Sequence, residues 1–363
     1  SDVAYKRLHL RRPSSMPEAR TTRGSVEDVS AEQDFMNLGR WLMENTSDKE
    51  LTVLMAQLGL ACKATSRACA KAGIAGLFGL AGEVNSTGDD QKKLDVLSDE
   101  IFVSALINSG ACAVLVSEER DEAIIVPEEK AGRFCVAFDP LDGSSNIDCN
   151  VSTGTIFAVY EKLHPDSKDS SEADILRTGT DIVVAGYCMY GAATELVLCF
   201  RSNDAGVERF SLDPSLGEFI HTHTAVKIPP GGGKKIYSCN EGNSCNWDAP
   251  ILDAVAQFKA EGYSARYVGS MVSDVHRTIL YGGIYIYPAD KKSAKGKLRV
   301  LYEGFPMALI VETAGGIGST GLFQGKVQRM LDLVPGSIHD RCPVILGSPR
   351  DVKLVLSKYE AGN

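Results

Sequence analysis

The sequence has no long hydrophobic run, no long basic run and no C-x-x-C pair. Its apolar stretches, such as Ala111 to Val116 and Met307 to Val311, fall far short of the roughly 20 residues that cross a bilayer. The ten cysteines are neither dense nor regularly spaced in 363 residues, which predicts buried thiols in a reducing compartment and no disulfide framework. We therefore expect no membrane span and no disulfide-stapled secreted fold.

The charge balance is mildly acidic, with 38 Lys+Arg against 47 Asp+Glu and a net charge of −9, so we expect no nucleic-acid partner. Hydrophobic residues at 44% and charged residues at 23% indicate an ordinary globular protein with a large core. Residues 1–30 contain several basic side chains and no apolar block, which predicts a flexible N-terminal arm and no secretory signal. We expect a cytoplasmic location, and an organellar one, such as a peroxisome-like compartment, stays open.

Two predicted helices and the segment between them follow the arm. Ser47 and Glu50 have capping-box spacing, and apolar residues then repeat at helical intervals, so we predict a helix from this cap to about Gly73. The glycine-rich segment Gly73 to Asp90 lacks helix or strand periodicity and is predicted to be a long mobile loop, a kind of segment that is usually functional. A second helix is predicted from Leu94 to Leu106.

From Cys112 onward, short apolar runs end in acidic or turn residues, as buried strands do. The runs Cys112 to Val116 and Phe134 to Phe138 deliver carboxylates at their ends, and further strands are predicted up to Leu212. Helices and strands then alternate from Ile236 to Thr313, so the predicted fold class is α/β, or mixed α+β. We divide the rest of the chain into an N-terminal region, 31–220, and a C-terminal α/β region, 221–363.

Seven acidic residues stand at strand ends, in loops or at helix starts: Asp89, Asp95, Glu118, Glu119, Asp139, Asp142 and Glu303. Magnesium is typically held by a few such carboxylates together with substrate phosphates. Any one of them alone is more often a solvated surface group. The run DPLDGSSNIDCN, from Asp139 to Asn150, is more specific, because two carboxylates precede a Gly-Ser-Ser turn whose N–H groups and hydroxyls can dock an anion. We expect metal and phosphate to meet there.

Five motifs carry a resemblance to a known family: FDPLDGSSNIDC (138–149), TGDDQKKLDVLS (87–98), VSEE (116–119), RYVGSMVSDVHRT (266–278) and GKLRVLYE (296–303). They are similar to those of the fructose-1,6-bisphosphatases, and the likeness covers roughly Phe35 to Tyr359. The resemblance implies a layered α-β-α-β-α sugar phosphatase fold. It also implies hydrolysis of the 1-phosphate of fructose 1,6-bisphosphate to fructose 6-phosphate and inorganic phosphate, a step of gluconeogenesis.

The resemblance also implies a role for each matched active-site residue. Two or three Mg²⁺ or Mn²⁺ ions per subunit would be held by Asp89, Glu118, Asp139, the carbonyl of Leu141, Asp142 and Glu303. Catalytic activation of the attacking water would depend on Asp95, Glu119 and Asp89. The 1-phosphate would contact Gly143, Ser144 and Arg299, the sugar Ser270, Met271 and Lys297, and the 6-phosphate Asn240, Arg266, Tyr267 and Tyr287. Metals in such a site screen the phosphoryl oxygens, and a fixed guanidinium matches phosphate geometry.

Regulation and assembly are implied in the same way. An allosteric site for AMP, the expected inhibitor, is matched by Glu50, Leu51 and Thr52 at the start of the first long helix, with Arg133 in place of a usual lysine and Phe134 in place of a tyrosine. Glu161 stands where the animal enzymes carry arginine, so we expect a changed set of contacts. The family also implies a homotetramer in which Arg266 reaches the neighbouring subunit's 6-phosphate pocket.

Two alternative functions stay open. A sibling phosphatase for another sugar or inositol phosphate, such as sedoheptulose bisphosphate, would share the acidic pattern, although inositol monophosphatases lack the segments from Arg266 to Glu303. A non-catalytic metal-binding regulator would retain the fold, but this alternative is disfavoured because both proposed water-activating residues and all proposed ligands are present. His276, within a predicted apolar helix, is expected to be structural.

Overall fold

The computed structural model describes residues 35–77, 79–84, 90–201 and 206–361. The predicted N-terminal arm, 1–30, and the candidate ligand Asp89 lie outside the described residues. The helices are α1 (Leu38–Asn45), α2 (Lys49–Ala75), α3 (Lys93–Ile107), α4 (Ala249–Ala260), α5 (Met271–Tyr281), α6 (Phe305–Thr313) and α7 (Pro349–Ala361). The strands are β1 (Leu80–Val84), β2 (Asp90–Lys92), β3 (Cys112–Ser117), β4 (Ile124–Ile125), β5 (Phe134–Asp142), β6 (Thr153–Glu161), β7 (Ile182–Tyr190), β8 (Thr194–Phe200), β9 (Val207–Asp213), β10 (Glu218–Val226), β11 (Ile236–Ser238), β12 (Ser264–Ala265), β13 (Ile284–Tyr287), β14 (Leu298–Arg299), β15 (Ile317–Phe323), β16 (Lys326–Arg329), β17 (Arg341–Cys342) and β18 (Val344–Gly347).

Two large sheets organise these strands. The first has the order β10-β9-β8-β7-β6-β5-β3-β4, and its neighbours are antiparallel except for the parallel pair β3 and β5. The second has the order β12-β11-β13-β18-β15-β16. Smaller antiparallel pairs are formed by β1 with β2 and by β14 with β17. Because β3 and β5 run parallel, the residues that follow them meet at one edge of the first sheet.

Buried apolar side chains join the sheets to three layers of helices. Helices α1, α2 and α3 cover one face of the first sheet, where the ring of Phe102 stacks on that of Phe138 at 5.5 Å. Helices α5 and α6 lie between the two sheets, and Val272 belongs to the core that they share. Helices α4 and α7 cover the outer face of the second sheet through Ile251 and Val352. The layer order is α-β-α-β-α, which confirms the predicted fold.

Most elements predicted from the sequence are confirmed. The runs at Cys112 and Phe134 are the fully buried strands β3 and β5, and the alternation after Ile236 is the second sheet with its helices. The first sheet continues to Val226, so the division expected between residues 220 and 221 falls inside β10. Among the described residues, no helix is both long and apolar enough to cross a membrane.

Two local predictions were wrong. The helix cap is Asp48 and not Ser47, because an Asp48 side-chain oxygen accepts the Leu51 N–H at 3.0 Å while Glu50 accepts from Arg133. The segment 73–90 is not an irregular loop in its described part, since α2 continues to Ala75 and β1 pairs with β2. Its glycines allow a hairpin as readily as a loop, and sequence periodicity over so few residues does not distinguish the two.

Candidate active site

The candidate site lies at the edge of the first sheet where β3 and β5 end. Ser117 is paired with Phe138, and the Glu118 N–H donates to the Phe138 carbonyl at 3.1 Å, so Glu118 lies beside Asp139. Glu303 reaches the same place from the second half of the chain, on a buried π-helical turn, Val300–Gly304. Such wide turns are frequent at functional sites.

The acidic cluster comprises Glu118, Asp139, Asp142 and Glu303. One carboxylate oxygen from each of Asp139, Asp142 and Glu303 lies within 4.8 Å of the others, and these residues are only 2%, 8% and 3% exposed. Burial and then neighbouring carboxylates raise the pKa of Asp139 well above its ordinary value. Burial likewise raises the pKa of Asp142 to about 6 and that of Glu303 to about 8. Several buried carboxylates at this spacing repel one another unless protons or cations intervene.

Hydrogen bonds and one guanidinium balance part of this charge. Arg299 contacts Glu118 at 2.9 Å through Nη2, and its backbone N–H donates to Glu303 at 2.6 Å. Asp142 accepts from the Ser270 hydroxyl at 2.7 Å and from the Val272 N–H at 3.1 Å. One guanidinium faces four carboxylates, so the cluster needs protons or cations to balance its charge when the carboxylates are ionised. The oxygen-only donor set fits a hard divalent cation such as Mg²⁺ or Mn²⁺.

Asp95 and Glu119 adjoin the acidic cluster. Asp95 lies in the first turn of α3, and one of its carboxylate oxygens accepts the Lys92 N–H at 2.9 Å. Its other oxygen is buried without a hydrogen-bond partner in the described structure. Burial raises the pKa of Asp95 to about 6, a value suited to exchanging a proton near neutral pH. Glu119 is partly exposed and follows Glu118 in the turn that ends β3.

The Gly-Ser turn after Asp142 joins the two halves of the site. Gly143 has φ +72°, and a Cβ on it would lie 2.8 Å from the Cβ of Ser270. Glycine is therefore favoured on both counts, because the left-handed backbone strains other residues and the close approach leaves no room for a Cβ. Ser144 begins a short 3₁₀ turn. Its side chain lowers the pKa of Asp95, against the larger opposite effect of burial. Leu141, just before, is buried and donates its N–H to Asp139 at 2.9 Å.

Of the residues expected at the sugar and 6-phosphate, four lie at or just before the start of α5: Arg266, Tyr267, Ser270 and Met271. The others lie elsewhere along the chain: Asn240 after β11, Tyr287 at the end of β13 and Lys297 just before β14. Ser270 and Met271 are buried, whereas Arg266 and Lys297 are exposed, and the Arg266 guanidinium donates to the Ala265 carbonyl at 2.8 Å. Burial raises the pKa of Tyr267, and Tyr287 and Asp142 contribute to the shift, so these groups are neighbours. The Asn240 side chain accepts the Gly242 N–H at 3.2 Å.

Asp274 holds this segment in place and was missed by the sequence analysis. It is fully buried and accepts from the Ser238 hydroxyl at 2.8 Å and from the N–H groups of Val268 and Gly269 at 3.1 Å. Arg277 adds a contact at 2.6 Å. The signal was available, since Asp274 lies inside the quoted motif RYVGSMVSDVHRT, but a motif does not reveal that Asp274 accepts from the backbone N–H groups of Val268 and Gly269.

The five residues matched to a nucleotide site gather around Arg133. Its guanidinium contacts the carboxylates of Asp48, Glu50 and Glu161 and lies 4.5 Å from the centre of the Phe134 ring. Leu51 N–H donates to the Asp48 side chain, and the Thr52 N–H and hydroxyl donate to the Asp48 carbonyl. The groups that would bind a phosphate thus already have partners within the chain.

Buried carboxylates, an arginine and a Gly-Ser turn between two sheets are what a metal-dependent phosphate-ester hydrolase needs, and with five alternating layers they define a sugar phosphatase. The profile of "Fructose-1-6-bisphosphatase, N-terminal domain" matches residues 36–224, and that of "Fructose-1-6-bisphosphatase, C-terminal domain" matches residues 230–360. The chain belongs to the fructose-1,6-bisphosphatase family.

Individual relatives agree with the family profiles. The chain is 51% identical over 342 residues to "Fructose-1,6-bisphosphatase, cytosolic" of Brassica napus, an alignment that covers 92% of this chain and 97% of the relative. It is 52% identical to the protein of the same name from Arabidopsis thaliana, over 90% and 95% of the two chains. The crystal structure of Leishmania major fructose-1,6-bisphosphatase in holo form superposes with a TM-score of 0.84 at 40% identity, covering 90% of this chain and 100% of that one.

Proposed function

We propose that this chain hydrolyses fructose 1,6-bisphosphate at its 1-phosphate, and that the acidic cluster performs this gluconeogenic reaction with divalent cations. The observation that carries the proposal is the convergence of Asp139, Asp142 and Glu303 within 4.8 Å at a buried edge of the first sheet. Membership of the fructose-1,6-bisphosphatase family identifies the sugar. The cytosolic relatives support a cytosolic place of action.

The cations would be two or three Mg²⁺ or Mn²⁺ per subunit, held by Glu118, Asp139, the Leu141 carbonyl, Asp142 and Glu303, together with Asp89. Bound there, divalent ions supply charge screening of the phosphoryl oxygens and a lowered pKa of bound water. The fit rests on the donor set, which is all oxygen, and on the close packing of buried carboxylates, which divalent cations would relieve of their mutual repulsion.

The chain's own residues then orient the phosphate and move the proton. Asp95 and Glu119, with Asp89, would accept a proton from the attacking water, and the unpartnered oxygen of Asp95 is available for this. Arg299, Gly143 and Ser144 would hold the 1-phosphate. Since Gly143 leaves no side chain between this turn and Ser270, the phosphate end and the sugar end of the site are kept at a fixed separation.

The distal end of the substrate would be recognised by donors. Asn240, Arg266, Tyr267 and Tyr287 would contact the 6-phosphate, while Ser270, Met271 and Lys297 would line the sugar. A phosphate dianion accepts hydrogen bonds and donates none, and amide, hydroxyl and guanidinium groups match that requirement. The buried Asp274 supports these groups by fixing the loop that carries Tyr267.

The test is phosphate release from purified protein with fructose 1,6-bisphosphate, sedoheptulose 1,7-bisphosphate and an inositol monophosphate, with Mg²⁺ and Mn²⁺ each supplied. We expect fructose 1,6-bisphosphate to give the highest kcat/KM, and an excess of chelator to abolish turnover. A higher kcat/KM for either other substrate would favour the sibling phosphatase. Absence of turnover with every substrate would favour the non-catalytic regulator.

AMP inhibition at the start of α2 is a second part of the proposal. Binding would have to displace the Asp48 cap and open the contacts between Arg133 and its three carboxylates, so we expect weak inhibition. Replacing Glu161 by arginine removes one competitor and adds a cation, and the AMP concentration for half-inhibition should fall. Equal AMP response in the wild type and Glu161→Arg would place the nucleotide elsewhere or nowhere.

A homotetramer with a shared active site completes the proposal. The exposure of Arg266 is compatible with a role in a neighbouring subunit. Co-expression of Arg266→Ala with Asp95→Asn should restore activity if Arg266 acts between subunits, because some sites then combine an intact Asp95 with an intact Arg266. Hybrids that are verified as mixed and yet stay as inactive as the parents would assign Arg266 to its own subunit.

A further inference from the structure

The two carboxylates Glu118 and Glu119 occupy the centre of a tight turn. The Arg120 N–H donates to the Ser117 carbonyl at 3.4 Å, which closes a four-residue turn after β3. The direction of both central side chains therefore depends on how the last residue of the turn, Arg120, is held. Any looseness at Arg120 would be transmitted to a proposed metal ligand and to a proposed proton acceptor together.

The side chain of Arg120 provides one anchor. Its Nε and Nη2 contact the same oxygen of Asp99 at 2.8 and 2.7 Å, and Asp99 is only 5% exposed. Asp99 lies on α3 one helical turn beyond Asp95. This contact joins the turn to the helix that carries the other proposed proton acceptor.

The backbone of Arg120 provides a second anchor, on the other half of the molecule. His339 Nε2 lies 2.8 Å from the Arg120 carbonyl, and His339 Nδ1 lies 2.9 Å from the Tyr302 hydroxyl. A carbonyl only accepts, so Nε2 carries a proton. In the neutral ring Nδ1 is then the acceptor, and Tyr302 donates to it.

Tyr302 ties this arrangement to the acidic cluster. It is fully buried, precedes Glu303 in the chain and lies in the same π-helical turn. Its hydroxyl leaves this turn to meet His339 Nδ1 at 2.9 Å. Hydrogen bonds from Tyr302 to His339 and from His339 to the Arg120 carbonyl thus connect the turn that bears Glu303 with the turn that bears Glu118 and Glu119.

We infer that His339 is a positioning residue of the active site, which fixes the turn bearing Glu118 and Glu119 relative to the turn bearing Glu303. Its described side-chain hydrogen bonds are those to Arg120 and Tyr302, and it acts through these two residues. The inference rests on the proposed function, because it assumes that these carboxylates hold a divalent cation. Groups behind metal ligands typically change metal affinity or activity by about 10- to 100-fold when removed.

The chain offers a matched control. Tyr187 and His276 form a second tyrosine–histidine pair, also with 2.9 Å between hydroxyl and Nδ1 and with a similar edge-to-face arrangement of the rings. His276 lies on α5 and packs in the core against Tyr187 of β7. Its expected role is structural. The two histidines differ in what lies beyond them: His339 holds the Arg120 carbonyl, whereas His276 holds no residue of the acidic cluster's turns in the described hydrogen bonds.

The experiment measures Mn²⁺ affinity of the full chain by electron paramagnetic resonance, and kcat and KM for fructose 1,6-bisphosphate at saturating Mn²⁺. We expect His339→Phe to weaken Mn²⁺ binding and lower kcat by about tenfold each, with KM nearly unchanged. His339→Gln should recover most of the loss, because its amide N–H can donate to the Arg120 carbonyl. His276→Phe should lower the melting temperature and leave Mn²⁺ affinity at the wild-type value.

The inference is overturned if folded His339→Phe binds Mn²⁺ like the wild type. Should His339→Phe fail to fold, Tyr302→Phe decides, since wild-type Mn²⁺ affinity in that variant would refute the path. A ¹⁵N spectrum that shows His339 protonated on Nδ1 and bare at Nε2 would refute it as well. A wild type that neither binds Mn²⁺ nor releases phosphate would instead refute the proposed function, so the two failures are distinguishable.

Discussion

Two arginines in this chain are surrounded by carboxylates, and the two places behave differently. Arg299 faces the acidic cluster, whose members Asp139 and Glu303 are 2% and 3% exposed. Arg133 faces Asp48, Glu50 and Glu161, and the side chains of the last two are 34% and 36% exposed. Solvent screens the charges at Arg133 more than those of the acidic cluster, because its carboxylates are more exposed. The same residue types therefore form an ion-pair network in one place and a candidate cation-binding site in the other.

The largest effect on activity is expected in the acidic cluster, where burial leaves the charges least screened by solvent. Asp142→Asn should lower kcat by about a thousandfold or more, because a removed ligand weakens metal binding and misplaces the phosphate together. In excess chelator the same variant should be at least as stable as the wild type, since one of several repelling charges is gone. Phosphate release and thermal unfolding in chelator measure the two effects.

The matched control makes the corresponding change, from a carboxylate to an amide, at Glu161 beside Arg133. Glu161→Gln should retain kcat, because that carboxylate lies in a screened network away from the acidic cluster. A comparable loss of kcat in Glu161→Gln would mean that the two clusters are not independent. Normal turnover in Asp142→Asn would remove the acidic cluster from the reaction.

The next effect is a fall in stability with rising pH in the metal-free protein, which bound metal should remove. Burial raises the pKa of Asp142 to about 6 and of Glu303 to about 8, whereas the unfolded chain releases these protons near pH 4. From about pH 4 to about pH 8 the folded, metal-free protein thus holds protons that the unfolded chain has lost, so its stability should fall as pH rises through this window. Metal replaces those protons, and its affinity should rise over the same window.

Melting temperatures measured from pH 5 to 9, in chelator and in Mn²⁺, check this prediction. The stabilisation by Mn²⁺ should grow with pH and level off near pH 8. Asp142→Asn serves as the internal reference, because it should flatten the profile in chelator at the lower end of the window. Profiles that run parallel with and without Mn²⁺ would contradict the prediction.

How far the fold and the candidate site can be predicted from the sequence depends on how far apart the interacting residues lie in the chain. Buried strands and helices follow from local periodicity, and β3, β5 and α3 were predicted to within a few residues. Periodicity alone did not connect Asp139 with Glu303, which are far apart in the chain; that link came from motif resemblance. His339 was missed because its partner Arg120 is 219 residues away and contributes only a carbonyl.

The misplaced helix cap teaches the same lesson at short range. Ser47 and Asp48 are both good cap residues, and the local pattern favoured Ser47 because Glu50 completes a capping box. In the folded protein Glu50 accepts from the Arg133 N–H and Nε at 2.9 and 3.0 Å instead, so the cap moves to Asp48. A tertiary ion pair thus engages the residue that the local capping pattern needed.

The smallest effect is expected at Arg133. Arg133→Met should lower the free energy of unfolding by about 1–2 kcal/mol, because it leaves three neighbouring carboxylates without their counter-charge while partial exposure screens much of their repulsion. Lys168→Met, at the exposed pair Lys168 and Glu128, should change it by less than about 0.5 kcal/mol. Denaturant unfolding of both variants measures the difference.

A double variant separates repulsion from lost packing at Arg133. If repulsion among Asp48, Glu50 and Glu161 causes the loss, Glu161→Gln should be destabilising alone, since it removes an ion pair, but stabilising in the Arg133→Met background, since it then removes a repelling charge. If the loss comes from the contact of Arg133 with the Phe134 ring, Glu161→Gln should not stabilise the Arg133→Met background. A stabilising effect of Glu161→Gln in that background would therefore show that the carboxylates around Arg133 still repel one another despite their exposure to water.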